Sequence, residues 1–203
     1  MKFIFATKNE GKLREIKAVL GDSFEIVSQK EAGIFGEADE TGETFEENSK
    51  LKALYVMKKT GLPVLADDSG LEIDCMPGEL GVHSARFMGH DTSYDIKNAE
   101  ILKRLEGVPD EKRSARFVCC ITAAIPVEGK ESLILQAKET MEGQIGYKIC
   151  GKGGFGYDPI FFLPQYGCTS AELTADEKNA ISHRGKALRA MRKQLLDNFK
   201  EEV

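Results

Sequence analysis

The chain carries only five cysteines, Cys75, Cys119, Cys120, Cys150 and Cys168, an odd set with no C-x-x-C pair and no regular spacing. That pattern excludes a disulfide framework and a structural zinc site, and it fits reduced, mostly buried thiols in a cytosolic protein. Long apolar runs are also missing. The most apolar uncharged stretch, Phe117 to Val127, falls well short of the roughly 20 residues that a membrane helix needs, and no export segment is indicated. Positive charge is in deficit as well: the formal net charge is −5, which disfavours a nucleic-acid partner and leaves room only for a small polyanion held by a few placed lysines and arginines. Repeats, low-complexity tracts and linkers are absent.

What remains is an ordinary globular composition, 41% hydrophobic and 30% charged over 203 residues. This is enough chain for one domain with a real core, so residues 1–203 are read as a single domain. Lys2 to Ala6 reads as a strand, and Leu13, Ile16, Val19 and Leu20 recur at a helical period up to Gly21. Thr44 and Glu47 have capping-box spacing, which predicts a second helix running to Gly61. Pro63 to Ala66 reads as a strand, Asp67-Asp68-Ser69-Gly70 as a turn, and Leu71 to Cys75 as another strand. Asp95 to Leu105 is helical, with Ile96, Ala99, Leu102 and Leu105 on its apolar side. Strands are expected around Arg116 to Ala124, Ser132 to Ala137 and Ile160 to Phe162, and a last helix from near Ser182 buries Leu188, Met191, Leu195 and Phe199. Alternating helices and strands predict an α/β or α+β layer fold.

Five stretches could carry chemistry. In FATKNEGKLREI, Thr7, Asn9 and Lys12 sit where a strand breaks into a helix. The unpaired N–H groups of that helix start suit phosphate oxygens, although Thr7 or Asn9 acting only as a cap explains the same residues. In LADDSG, the adjacent carboxylates Asp67 and Asp68 at a strand end could bind a hard cation or take a proton from water, or could merely close an Asx turn. The acidic loop containing Glu37, Asp39 and Glu40 could add a metal oxygen, and Asn48 and Lys52 share one face of the second helix. The run GKGGFG, Gly151 to Gly156, fits G-x-G-x-x-G, yet Tyr157-Asp158-Pro159 follows and prevents the required helix. Its glycines instead allow close approach to a flat ligand, with Phe155 or Tyr157 stacking on a ring, unless both are core. Finally, His183 and Arg184 put cations in the first turn of a helix, against its dipole, and such a broken local rule often marks a functional site.

Taken in order, the blocks ATKNEGK, ETGETFEENSKLKA, LADDSGLEID, GVHSARF, GGFGYDPIFF and AELTADEKNAISHRGKAL resemble the inosine/xanthosine triphosphate pyrophosphatase family over Lys2 to about Ala190. The resemblance implies an α/β fold with a mixed central sheet flanked by helices, two lobes with an active-site groove between them, a Mg²⁺ requirement, a homodimer and a nucleoside triphosphate as substrate; the composition adds the expectation of a cytoplasmic location with no nucleic-acid or membrane partner. It implies hydrolysis of ITP, dITP and XTP to the monophosphate and pyrophosphate. By position, Thr7, Lys8, Asn9, Lys12 and Lys52 would meet the triphosphate with Ser69 beside it, and Glu40 and Asp68 would hold Mg²⁺, Asp68 also serving as general base. Phe155, Gly156, Tyr157 and Asp158 would form the base and sugar pocket, while Lys178, His183 and Arg184 would contact the nucleotide. Two departures stand out: Lys8 replaces a small residue, and Glu79-Leu80 replaces Ala-Pro. A nucleotide sensor on the same scaffold and a pyrophosphatase for modified pyrimidines are the competing expectations.

Overall fold

The structure is a computed structural model describing residues 1–199. Strand β1 (Lys2–Phe5) leads into helix α1 (Glu10–Leu20), then β2 (Glu25–Ser28), α2 (Phe45–Thr60) and β3 (Val64–Ile73). Helix α3 (Tyr94–Arg104) precedes the long strands β4 (Ser114–Ile125) and β5 (Leu133–Ile145), followed by the short β6 (Phe161–Leu163) and β7 (Cys168–Thr169). Helices α4 (Ala175–Ile181) and α5 (His183–Asn198) complete the described chain. The strands form one seven-stranded sheet in the order β2-β1-β3-β4-β5-β6-β7. It is mixed: β1 runs parallel to β2 and β3, whereas β5, β6 and β7 pair antiparallel. The expected α/β architecture is therefore present.

Contacts divide the chain into two units, and β3, β4 and β5 each contribute residues to both. The first unit holds residues 1–68, 119–139 and the chain from His183 onward. Strand alternation sorts its core into two layers. Phe3, Phe5, Leu65, Cys119 and Ile121 pack with Ile16 and Leu20 of α1 and with Leu188, Met191 and Leu195 of α5. Ile4, Val64, Ala66 and Ala124 pack with Ala53, Val56 and Met57 of α2. Helix α2 starts as read, with Thr44 and Glu47 closing a capping box, and stops at Gly61 in the left-handed region.

The second unit, Ser69–Val118 and Thr140–Ser182, has its own core of Leu71, Ile73, Ile101, Leu105, Phe117, Met141, Ile160 and Phe161. Leu80, in the loop that departs from the resembled family, is 2% exposed within that core.

Three expectations need correcting. The Asp67–Gly70 turn does not form, because β3 runs unbroken through it; the two carboxylates are engaged by distant cations rather than by local N–H groups. On α3 Leu105 is buried and Leu102 packs on the core as read, but Ile96 (55% exposed) and Ala99 face outward and the helix buries Lys97, Asn98 and Ile101 instead. Only Cys119 and Cys120 are fully buried; all five cysteines are free and Cys75 is exposed. Strands β2 and β7 and helix α4 were not anticipated, being short elements whose pairing or capping carries more information than their periodicity.

Gly70 sits where no side chain fits. A Cβ there would lie 2.1 Å from the Gly81 carbonyl oxygen and 2.6 Å from Ser84 Oγ, and that hydroxyl is already bonded to both the N–H and C=O of Leu71. Gly70→Ala is expected to destabilise the protein by roughly 1–3 kcal/mol through overpacking, read as a lower denaturant midpoint with an unchanged slope. An unaltered midpoint would show that the backbone yields there.

Candidate active site

The turn after β1 satisfies its own polar groups first. Thr7 Oγ1 accepts a hydrogen bond from the Asn9 N–H at 3.1 Å, and Asn9 Oδ1 caps α1 by accepting from the Lys12 N–H at 3.1 Å. Lys8 points to solvent and pairs with Glu37 at 3.0 Å, both side chains being more than half exposed. Such a pair contributes little. Lys12 is different: its ammonium turns back from the first turn of α1 to the carboxylate of Asp67.

Alternation along β3 sends the neighbouring Asp67 and Asp68 to opposite faces of the sheet. Asp67 shares the face of Leu65 and is covered by α1 and α5, so its carboxylate receives Lys12 Nζ, Arg184 Nε at 3.0 Å and the Cys119 thiol at 3.3 Å. Arg184 also pairs with Glu15 of α1. Two carboxylates thus compensate the cation that opposes the α5 dipole. Burial alone would raise the Asp67 pKa, but Lys12, Arg184 and Lys52 outweigh it and hold the carboxyl well below the usual range.

Asp68 shares the face of Ala66 and meets α2, where Lys52 Nζ donates to its Oδ1 at 2.7 Å. The same ammonium lies 3.4 Å from Glu40. Two residues after Glu40, the backbone of Gly42 is held by the Asn48 amide, which both donates to it and accepts from it. Burial raises the Asp68 pKa despite Lys52. Its other oxygen, Oδ2, is buried without a hydrogen-bond partner, an arrangement that calls for a proton, a water or a cation. Among the described residues no group of three or more His, Cys, Asp or Glu side chains could hold a metal. Two carboxylates remain, which is a fit for Mg²⁺: that ion commonly takes one or two protein carboxylates and fills its octahedron with waters and substrate phosphates.

In the second unit the glycine-rich loop is organised around Asp158, 2% exposed. Its Oδ2 accepts from the Phe155 N–H at 2.8 Å and from Lys178 Nζ at 2.6 Å, and its Oδ1 accepts from Ser170 Oγ at 2.7 Å. Lys178 Nζ also stands 4.9 Å from the centre of the Phe155 ring. Gly154, at φ +68°, leaves room for this carboxylate, since a Cβ would lie 2.1 Å from Oδ2. Phe155 and Gly156 are half-buried, whereas Tyr157 belongs to the core and donates its hydroxyl to the Ser84 carbonyl at 2.6 Å. Ser69 is half-buried in this unit, and His183 is buried at the start of α5.

The structure therefore gathers Lys12, Lys52, Glu40, Asp67, Asp68 and Arg184 into one charged cluster of the first unit, and Phe155, Asp158 and Lys178 into one of the second. The first can bind a polyanion together with a hard cation; the second can hold a planar ring. Sequence reasoning missed Glu15 and Cys119, both partners of groups already singled out. Glu15 shares an α1 face with Lys12, but nothing local ties either residue to Arg184 or Asp67.

Comparison with protein families matches residues 3–194 to one described as "Ham1 family". Among curated proteins, a "dITP/XTP pyrophosphatase" of Escherichia coli O157:H7 is 47% identical over 191 residues, 94% of this chain and 95% of that protein. One of the same description from Exiguobacterium sibiricum is 46% identical over 192 residues, with the same two coverages. Among solved structures, a HAM1 protein from Coxiella burnetii superimposes with a TM-score of 0.85 at 39% identity, covering 97% of this chain and 99% of that one.

The adjacent carboxylates have opposite signs in stability. Asp67, with its pKa depressed, stabilises the fold at neutral pH, and this is lost only as pH falls through its depressed value. Asp68, with its pKa raised, opposes folding at neutral pH, and the opposition is relieved as pH falls through its raised value. Asp67→Asn is expected to cost roughly 3–5 kcal/mol by taking a carboxylate partner from Lys12 and from Arg184, which keeps Glu15. Asp68→Asn is expected to raise the melting temperature at pH 7, with the gain shrinking on acidification. Equal destabilisation by both would overturn this assignment.

Proposed function

The chain belongs to the Ham1 family, and from that membership we propose that it hydrolyses deaminated purine nucleoside triphosphates, ITP, dITP and XTP, to the monophosphate and pyrophosphate. The whole chain acts as one enzyme domain in this reading. The observation that carries the chemistry is the Asp68 carboxylate, buried beside Lys52 with one oxygen unpartnered and its pKa raised by burial. A carboxylate in that state is suited to take the proton of an attacking water.

Charge explains the need for a divalent ion. Three cations, Lys12, Lys52 and Arg184, are already met by four carboxylates, Glu15, Glu40, Asp67 and Asp68. A triphosphate approaching these side chains alone would gain little. Mg²⁺ held by Glu40 and Asp68 would supply the missing positive charge and polarise the phosphate oxygens. Thr7, Lys8, Asn9, Lys12 and Lys52 act on the triphosphate, with Ser69 beside it, while Phe155 stacks on the base and Gly156, Tyr157 and Asp158 shape its pocket. Lys178, His183 and Arg184 provide donors to the nucleotide. Donors facing O6 accept a 6-keto purine, whereas the amino group of adenine would leave them unpaired. A homodimer acting in the cytoplasm completes the reading; no helix among the described residues is long and apolar enough to cross a membrane.

The test is a panel of ITP, dITP, XTP, GTP and ATP with Mg²⁺, assayed for pyrophosphate as distinct from phosphate. Pyrophosphate is expected from the deaminated purines, and Asp68→Asn is expected to lower kcat by roughly 10²–10⁴-fold, the usual share of a general base. Chelation of the metal should abolish turnover, and re-addition of Mg²⁺ should restore it. A folded protein inert toward all five nucleotides would sink the reading.

A further inference from the structure

Helix α3 breaks the pattern of an amphipathic helix. Ile96 is 55% exposed while Lys97 and Asn98, its immediate successors, are each 1% exposed. An apolar residue would fill a buried helix position at less cost than an asparagine, because Asn98 Oδ1 lies buried with no hydrogen-bond partner. Only the other end of that amide offsets the penalty: Nδ2 donates to the carbonyl oxygen of Gly156 at 3.1 Å.

Gly156 lies between Phe155 and Tyr157 and holds φ +70°, a conformation that an unsupported loop would readily leave. Its neighbours are fixed from the same side. Tyr94, in the first turn of α3, meets the Tyr157 ring edge-on with centroids 5.1 Å apart. The Tyr157 hydroxyl donates to Ser84 O, and Lys97 Nζ donates to Ala85 O at 2.6 Å while lying 5.0 Å from the Tyr94 ring centre. The segment GVHSARF, already tied to β3 by the Ser84 hydroxyl, thereby supplies the two carbonyls that anchor both the loop and the helix. Asp158 holds the loop through Phe155 N–H and Lys178; α3 holds it through Gly156.

We infer that Asn98 is a positioning residue, which sets the backbone of the Phe155–Tyr157 loop and through it the affinity for the purine base. The substrate part of this inference rests on the proposed function; the loop part does not. Asn98 acts through the loop, so its loss should weaken binding of anything carrying a base and leave a base-free polyphosphate unaffected.

Asn98→Asp removes the donor isosterically, and Asn98→Ala removes it without burying a charge, so that a folded variant is in hand if the first is unstable. Each is expected to raise KM for ITP about tenfold, the loss of a hydrogen bond's worth of affinity, with kcat held within about threefold. The inhibition constant of inorganic tripolyphosphate should not move. The chain contains no tryptophan, so Phe155→Trp places a single tryptophan in the loop, excited selectively over the five tyrosines, and adding Asn98→Ala to it should increase acrylamide quenching of the tryptophan without any substrate present. Unchanged KM and unchanged quenching would overturn the inference, as would equal rises in the ITP and tripolyphosphate constants, the mark of a general structural role. If the wild type turns over none of the purine triphosphates but quenching still rises, the loop-setting role stands and the substrate reading falls; if quenching is also unchanged, both fall.

Discussion

The Asp67 carboxylate joins stretches of chain that are far apart in sequence: Lys12 from α1, Cys119 from β4 and Arg184 from α5 all donate to its two oxygens. Without that anion, α5 would begin with a buried guanidinium opposed by the helix dipole, and α1 would carry an ammonium into a layer otherwise built from Phe3, Phe5, Leu65 and Ile121. Hydrophobic burial holds the two helices on the sheet. The ion pairs decide where along it they stop, since a charge pair in a low-dielectric layer is intolerant of sliding in a way that leucines are not.

The adjacent residue is handled in the opposite manner. Asp68 has one cation where Asp67 has two direct ones, and it keeps an oxygen that nothing in the protein satisfies. Placing both on a single strand lets the fold use rigid packing on one face to hold an under-compensated group on the other. Stability invested at Asp67 is what permits instability at Asp68, and residues of active sites commonly show this division.

What could be read from the sequence was what is encoded locally. The Thr44–Glu47 box and the leucine spacing of α5 need only their neighbours, and both appear as read. The turn at Asp67–Gly70 misled because two aspartates followed by a serine and a glycine satisfy every local rule for a turn. The cations that keep the strand extended come from α1, α2 and α5, beyond the reach of a local pattern. The face of α3 was misjudged for the same reason: Asn98 is buried because Gly156, far along the chain, needs its amide. For the site, Asn9 proved legible as a cap; Lys12 and Lys52 were legible as cations, but their pairing with Asp67 and Asp68 was not, because those carboxylates come from another element. The partnership of Asp158 with Lys178 required the loop to be folded before it could be seen.

The alternation of β3 also bears on how such a protein can vary over time. Each carboxylate owes its behaviour to the side of the sheet on which it emerges, and that side depends on parity. A single-residue insertion or deletion between Val64 and Asp67 would exchange the two, offering the under-compensated carboxylate to Lys12 and Arg184 and the compensated one to Lys52. Substitutions in this strand can be graded in their effects, but changes of length cannot. Length variation in descendants of this chain is therefore confined to stretches outside the strand, where an added residue alters the reach of a loop and not the handedness of its chemistry.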